Sequence, residues 1–150
     1  SYSINKNKIN LEELYSLTNL SENFNISELV DNCLAKNQKK TIYMINENNY
    51  SFEDTIIIIR TFLVKTKRLL KLAHDYDTNQ NLENIVSMHK PPIFWKDKEL
   101  VKKQIKSWTI KTTLELIDNI NKIEILVKKN SQNAVNILSD FIINTSKTNN

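Results

Sequence analysis

Side chains that could perform chemistry are few in this 150-residue sequence, and most of them stand alone. The densest group is His74-Asp75-Tyr76-Asp77, whose side-chain types could bind a metal ion or exchange protons. Consecutive residues on a helix point in different directions, however, and no second histidine follows at i+4. Because metal sites need three or four converging ligands, we interpret this group as a solvated helix end.

The other histidine and the single cysteine also favour structural roles. His89 precedes Lys90 and two prolines, where a structural or surface position is more common than a catalytic one. Cys33 falls on the apolar stripe of a predicted helix, so we expect a small buried hydrophobe there. One cysteine cannot form an internal disulfide, which favours a reducing compartment.

Glycine is absent from the chain, which excludes two large classes of nucleotide site. Phosphate-binding loops and dinucleotide-binding fingerprints require glycine for tight turns and for close approach of the backbone to the ligand. We therefore expect no nucleotide to bind by those routes. Because the other reactive side chains stand alone, we also expect no intrinsic catalytic site, no cofactor and no metal in this chain.

The middle third of the sequence is strongly basic. Residues 60–111 carry 12 basic and 5 acidic side chains, a local charge of +7, whereas the formal charge of the whole chain is +4. Such a stretch could contact nucleic-acid phosphates, support protein–protein assembly, or remain solvated, and the sequence leaves these alternatives open. The candidate residues for contact with DNA or a partner are Lys65, Arg68, Lys71, Lys98, Lys102, Lys103 and Lys106.

The basic stretch contains both prolines and both tryptophans of the chain. Two successive prolines exclude a continuous helix, so the chain must turn at Pro91 and Pro92. We expect the apolar residues that follow, Ile93 to Trp95, to anchor this turn in the core. A helix should begin after Asp97, with Trp108 closing its apolar stripe. The predicted structural anchors are Pro91, Pro92, Phe94, Trp95 and Trp108.

Helical periodicity accounts for the rest of the chain and predicts an all-α bundle of about seven to eight helices. Asn10, Asn25, Ser51, Thr109 and Ser131 are the expected N-caps. The longest predicted helix covers residues 51–76, with Phe52, Ile56, Ile59, Leu63, Leu70 and Ala73 forming its main apolar stripe, widened by Ile58, Phe62, Leu69 and Leu72. The other helices are predicted over residues 9–18, 25–37, 39–46 and 110–128, through Met88, from Asp97 and after Ser131, with a linker over residues 19–24.

Three segments resemble the delta subunit of the bacterial DNA polymerase III clamp loader. Residues 91–96, PPIFWK, precede a basic helix that closes on Trp108 and Thr109. In that family a Pro-Pro-x-Phe-Phe-Lys run precedes an Arg/Lys-rich helix that ends in Trp-Ser or Trp-Thr. Residues 24–35 are similar to the segment that opens the family's C-terminal domain, and residues 68–71, RLLK, are similar to the end of its long helix.

The sequence departs from the family pattern at three places. Trp95 stands where phenylalanine is more common, and Ser27-Glu28 replaces a Phe-Asp pair. The glycine that the family has in the turn after its third helix is also absent, and residues 47–50 take its place.

The resemblance implies a fragment of a larger subunit, namely the end of the lid domain (residues 1–20) and the helical collar domain (residues 21–150). It implies a non-catalytic collar that associates with the gamma/tau motor subunits and with delta-prime, within a cytoplasmic bacterial DNA polymerase III holoenzyme. The sliding clamp would be reached only through an N-terminal domain outside this sequence, DNA could be contacted in the assembled complex, and no membrane partner is expected. The alternative is an independent basic helical domain that binds nucleic acid.

Overall fold

The computed structural model of the chain describes residues 10–148, and over residues 15–22 it describes the backbone alone. Within this part of the chain every regular element is helical, which confirms the predicted all-α class. The seven α-helices are α1 (Leu11–Leu34), α2 (Gln38–Glu47), α3 (Phe52–Thr78), α4 (Leu82–Met88), α5 (Lys98–Ser107), α6 (Ile110–Lys129) and α7 (Ala134–Thr145). Short 3₁₀ turns at Trp95–Asp97 and Ser131–Asn133 precede α5 and α7.

Helix α1 is continuous, so the predicted linker over residues 19–24 is wrong. Asn10 caps the helix as expected, because its side-chain oxygen accepts a hydrogen bond from the Glu13 amide at 2.7 Å. Nothing stops the helix afterwards, since the segment has neither glycine nor proline. Asn25 is therefore no cap; its side-chain amide instead donates to Asn48 Oδ1 at 2.8 Å. The predicted boundary between lid and collar, at residues 20 and 21, falls inside this helix.

Helix α3 lies at the centre of the bundle and packs against α1, α5, α6 and α7. Ser51 and Asp54 form the predicted capping box at its N-terminus. The deepest side chains are Ile58, Phe62, Leu69 and Leu72, which the sequence placed only at the edge of the stripe. Thr55 and Thr66 are buried beside them because their hydroxyls donate to backbone carbonyls of the preceding turn, so that burial leaves these donors satisfied.

The C-terminal helices begin close to the predicted positions, but only one has the predicted cap. Thr109 caps α6 by accepting a hydrogen bond from the Thr112 amide at 3.1 Å. Asp97 makes no capping bond to α5, and Ser131 opens a 3₁₀ turn instead of capping α7. Both predictions missed the 3₁₀ turn that adds residues before the α-helix begins.

Candidate partner interface

Asp31 is the centre of a buried ion-pair network that joins three helices. Its carboxylate on α1 accepts from Lys65 Nζ at 2.8 Å and from Arg68 Nη2 at 3.3 Å, both on α3. From α5, the Gln104 side-chain amide donates to the Asp31 backbone oxygen at 2.9 Å and to its Oδ1 at 3.2 Å. Asp31 is 3% exposed, so these partners replace the water that an ionised carboxylate requires.

The network removes two of the seven predicted contact residues from the surface. Lys65 and Arg68 point to Asp31, and their side chains are only 13% and 23% exposed, so most of each cation lies inside the bundle and not on the basic surface that the sequence suggested. The sequence placed them on a basic helix surface because it showed only the local run of cations, whereas their counter-ion lies more than 30 positions earlier in the chain.

The other five predicted contact residues differ in how far they are already paired. Lys71 pairs with Asp75 at 2.7 Å, and Lys102 pairs with Glu83 and with Glu99. Lys103 donates to the side chain of Asn37, and it is exposed. Within residues 10–148 no salt bridge involves Lys98 or Lys106. Five of the seven cations therefore have partners within the chain, whereas Lys98 and Lys106 make no salt bridge in the described residues.

Only one of the three apolar residues predicted to anchor the proline turn enters the core. Ile93 is buried, whereas Pro91 and Pro92 are exposed, Phe94 is 53% exposed and Trp95 is 69% exposed. The prediction that Phe94 and Trp95 plug into the core is therefore wrong. The 3₁₀ turn at Trp95–Asp97 re-aims the chain immediately after Ile93, so that only one apolar side chain of the three enters the core.

The exposed aromatic side chains form a small group that we call the aromatic turn, consisting of Phe94, Trp95 and Lys96. The two rings are 6.0 Å apart between centroids and tilted by 52°. The Lys96 ammonium lies 5.4 Å from the Trp95 ring centroid, a cation–π arrangement. The sequence did not predict this exposed group, because adjacent large apolar residues usually indicate burial.

Trp108, the last of the predicted anchors, is half-buried. Its indole Nε1 donates to the Leu34 backbone oxygen at 2.8 Å, which supplies a partner to one of the last carbonyls of α1. Lys36 lies 4.0 Å from the Trp108 ring centroid and donates through Nζ to the Thr145 backbone oxygen at 2.8 Å. The ends of α1, α5 and α7 therefore meet around this tryptophan.

The residues first considered for chemistry have structural surroundings. Cys33 is fully buried and donates through Sγ to the Ile142 backbone oxygen at 3.3 Å, and burial raises the pKa of its thiol, as expected of an unreactive core cysteine. His74 is exposed near the end of α3. His89 is buried, and its pKa is lowered by burial and by the nearby Arg68 guanidinium. Among residues 10–148, no three side chains of His, Cys, Asp or Glu converge as a metal site.

Two helices expose aliphatic side chains that no periodicity argument had singled out. On α6, Leu114, Ile125 and Leu126 are about half exposed, and we call this set the α6 face. Leu114 and Ile125 lie on the same side of the helix about three turns apart, whereas Leu126 lies about 100° round from Ile125. A groove of about 520 Å³ continues from Leu126 between α6 and α7, and Phe141 is among its lining residues. The second surface, the α3 face, consists of Ile57, Arg60, Val64 and Lys67; Val64 is 68% exposed. The signal was present in the sequence as apolar residues outside the core stripes.

Neither a known family model, nor a curated protein, nor a solved structure matches this chain. Its resemblance to the clamp-loader delta subunit therefore depends on the three segments quoted above. No helix in the described part of the chain is long and apolar enough to cross a membrane.

Proposed function

We propose that this chain is a non-catalytic collar domain of the delta subunit of a bacterial DNA polymerase III clamp loader. The proline–aromatic segment, the basic helix closing on Trp108 and the order of the three resembling segments support this assignment. The all-α fold is the kind of fold that the assignment requires. In this role the domain holds neighbouring subunits in place while other domains open the sliding clamp and admit primed DNA.

The observation that carries the proposal is the presence of two exposed aliphatic surfaces on separate helices, the α3 face and the α6 face. A subunit inside a ring needs two different contact surfaces, one for each neighbour, because ring interfaces are heterologous. Stable interfaces bury about 1,200–2,000 Å² in total and combine apolar anchors with a polar rim. Exposed leucine, isoleucine and valine side chains bordered by lysines and acidic residues suit such interfaces.

The interior suits the same role, because a collar must hold its neighbours at fixed angles. The Asp31 network ties α1, α3 and α5 together, and Trp108 ties the C-terminal end of α1 to the end of α5. These cross-helix hydrogen bonds and close packing fix the relative orientation of the helices, although Arg68 Nε and Gln104 Oε1 are buried without a hydrogen-bond partner in the described part of the chain.

The test is association with sister subunits. The purified chain should co-elute on gel filtration with the motor subunit or with delta-prime from the same genome, and it should not hydrolyse ATP by itself. Leu126→Glu on the α6 face should weaken this association at least about tenfold, because it buries an unpaired charge. Asn136→Glu, an exposed change on α7, is the control. Failure of the unchanged chain to bind either subunit, while full-length delta binds, would reject the proposal.

A second candidate function is binding of single-stranded nucleic acid, and the aromatic turn favours it. Trp95 and Phe94 are exposed beside Lys96, and bases stack on such side chains while lysines contact phosphates. Lys98, Lys103 and Lys106 on α5 follow the turn and would extend the contact.

Titration of tryptophan fluorescence with single-stranded and primed DNA decides between the two functions. Nucleic-acid binding predicts quenching of Trp95, micromolar or tighter affinity, and an affinity that falls steeply as salt rises. Trp95→Ala should then abolish the quenching, whereas Lys122→Ala on α6 should leave it unchanged. Absence of binding at low salt would eliminate this second function and leave the collar proposal standing.

A further inference from the structure

The exposed side of α3 combines aliphatic side chains with cations in a regular pattern. Ile57, Thr61 and Val64 follow one another at i, i+4 and i+7, so they form one row along the helix. Ile57 is 39% exposed and Val64 is 68% exposed. Arg60 and Lys67 border this row, and both are exposed. The α3 face is therefore an apolar row beside a basic edge.

The basic edge lacks a counter-charge within the chain. Between Asp54 and Asp75 helix α3 contains no acidic residue. Lys65 and Arg68 both pair with Asp31, but within residues 10–148 no salt bridge involves Arg60 or Lys67. These two exposed cations remain available to carboxylates from outside.

The chemistry of the α3 face favours a protein partner over nucleic acid. Aliphatic side chains on a helix accept the ridge of another helix but provide no ring on which a base can stack. The cations beside them select carboxylates at the edge of the partner helix, since opposite charges bordering an apolar contact fix its orientation and exclude other partners.

We propose that the α3 face docks an acidic amphipathic helix of a neighbouring collar subunit, with aliphatic residues against Ile57 and Val64 and with Glu or Asp opposite Arg60 and Lys67. This inference rests on the proposed collar function and assigns one of its two contact surfaces. It also distinguishes the surfaces, because the α6 face combines Leu114, Ile125 and Leu126 with charges of both signs, such as Asp118 and Lys122.

The experiment measures binding of the purified chain to the purified motor-subunit collar and, separately, to delta-prime by isothermal titration calorimetry. Val64→Glu should weaken binding to one of them at least about tenfold, because it places a carboxylate against an acidic helix. The double change Arg60→Glu and Lys67→Glu should weaken binding to a similar extent. It should also make the binding affinity depend less on salt concentration between about 50 mM and about 500 mM. Lys39→Glu, a charge reversal at an exposed position on α2, is the matched control and should bind normally.

Each outcome bears on a different claim. All substituted positions are exposed, and circular dichroism with thermal melting checks that the variants fold like the unchanged chain. If the unchanged chain binds and both α3 variants bind equally well, the α3 assignment is overturned while the collar function stands. If the unchanged chain binds neither sister subunit, the collar function fails and this inference fails with it.

Discussion

Helix α5 has a tryptophan near each end, and the two tryptophans have opposite surroundings. Trp108, after its last turn, is half-buried, donates to the Leu34 carbonyl and lies under the Lys36 ammonium. Trp95, before its first turn, is 69% exposed beside Phe94. Two tryptophans in one basic segment therefore have different roles. Trp108 connects helices of the bundle, whereas Trp95 is exposed to solvent.

The difference follows from register along the helix. Val101, Ile105 and Trp108 recur at i, i+4 and i+7, so Trp108 continues the stripe that α5 buries. Trp95 belongs to a 3₁₀ turn with its own geometry, and Ile93 already occupies the nearby position in the core. A tryptophan is therefore not an anchor because of its residue type. It becomes one when its position along the helix continues the stripe of residues that the helix buries.

The largest effect should come from removing the carboxylate that holds the inner side of α5 against α1 and α3. Asp31→Ala leaves Lys65 and Arg68 partly buried without a counter-ion, and Gln104 loses one acceptor. Breaking a buried pair in this way costs about 3–5 kcal/mol. Urea unfolding should show this loss in the free energy of unfolding.

The matched control for this change is Asp118→Ala, which removes an exposed pair with Lys122. An exposed i, i+4 pair contributes about 0.3–0.5 kcal/mol, so this variant should be almost as stable as the unchanged chain. Equal losses in the two variants would show that the Asp31 network is not a buried network in solution.

The next effect tests the two tryptophans directly. Trp108→Ala should lower the free energy of unfolding by about 3 kcal/mol, because it removes packing and leaves the Leu34 carbonyl without its side-chain donor. Trp95→Ala should change it by less than about 0.5 kcal/mol, as is usual for exposed positions. Trp108→Phe should fall between them, since it keeps a ring but loses the indole donor. A larger loss for Trp95→Ala than for Trp108→Ala would reverse the comparison.

Much of the fold follows from local rules that operate within a few residues. The capping positions of Asn10, Ser51 and Thr109 were predicted because each offers a side-chain oxygen three residues before a free backbone amide. The all-α class was predicted because apolar residues recur with helical periodicity. Such rules do not register that a helix continues through polar residues, as α1 does, when no proline or glycine interrupts it.

The candidate surfaces depend on long-range contacts, and this is why they were poorly predicted. Lys65 and Arg68 were assigned to a partner because Asp31, their true counter-ion, is remote in sequence. Phe94 and Trp95 were assigned to the core because the sequence could not show that Ile93 fills the available position. The α3 face could be recognised only from the structure, which shows that Lys65 and Arg68 point inward while Arg60 and Lys67 are exposed.

The smallest expected effect is a change of stability with pH that depends on His89. This residue lies between α4 and α5, where it is buried shortly before the exposed aromatic turn. The pKa of His89 is lowered from its ordinary value of 6.5 by burial, with Arg68 and Lys71 acting in the same direction and Asp75 opposing them. Below about pH 6.5 the unfolded chain therefore binds more protons at this residue than the folded chain does. Stability should fall as the pH drops through that window, and the contribution should be fully present above it.

Urea midpoints at about pH 7.5 and about pH 5 measure this effect in the unchanged chain and in His89→Gln. The difference between the two midpoints should be smaller in His89→Gln, because glutamine does not titrate. Asp97, whose pKa is raised mainly by burial, contributes with the opposite sign, but it does so in both proteins and cancels when they are compared. An identical pH dependence in the two proteins would mean that His89 is solvated in solution, so that solvent exposure would begin at the end of α4 and not at the proline turn.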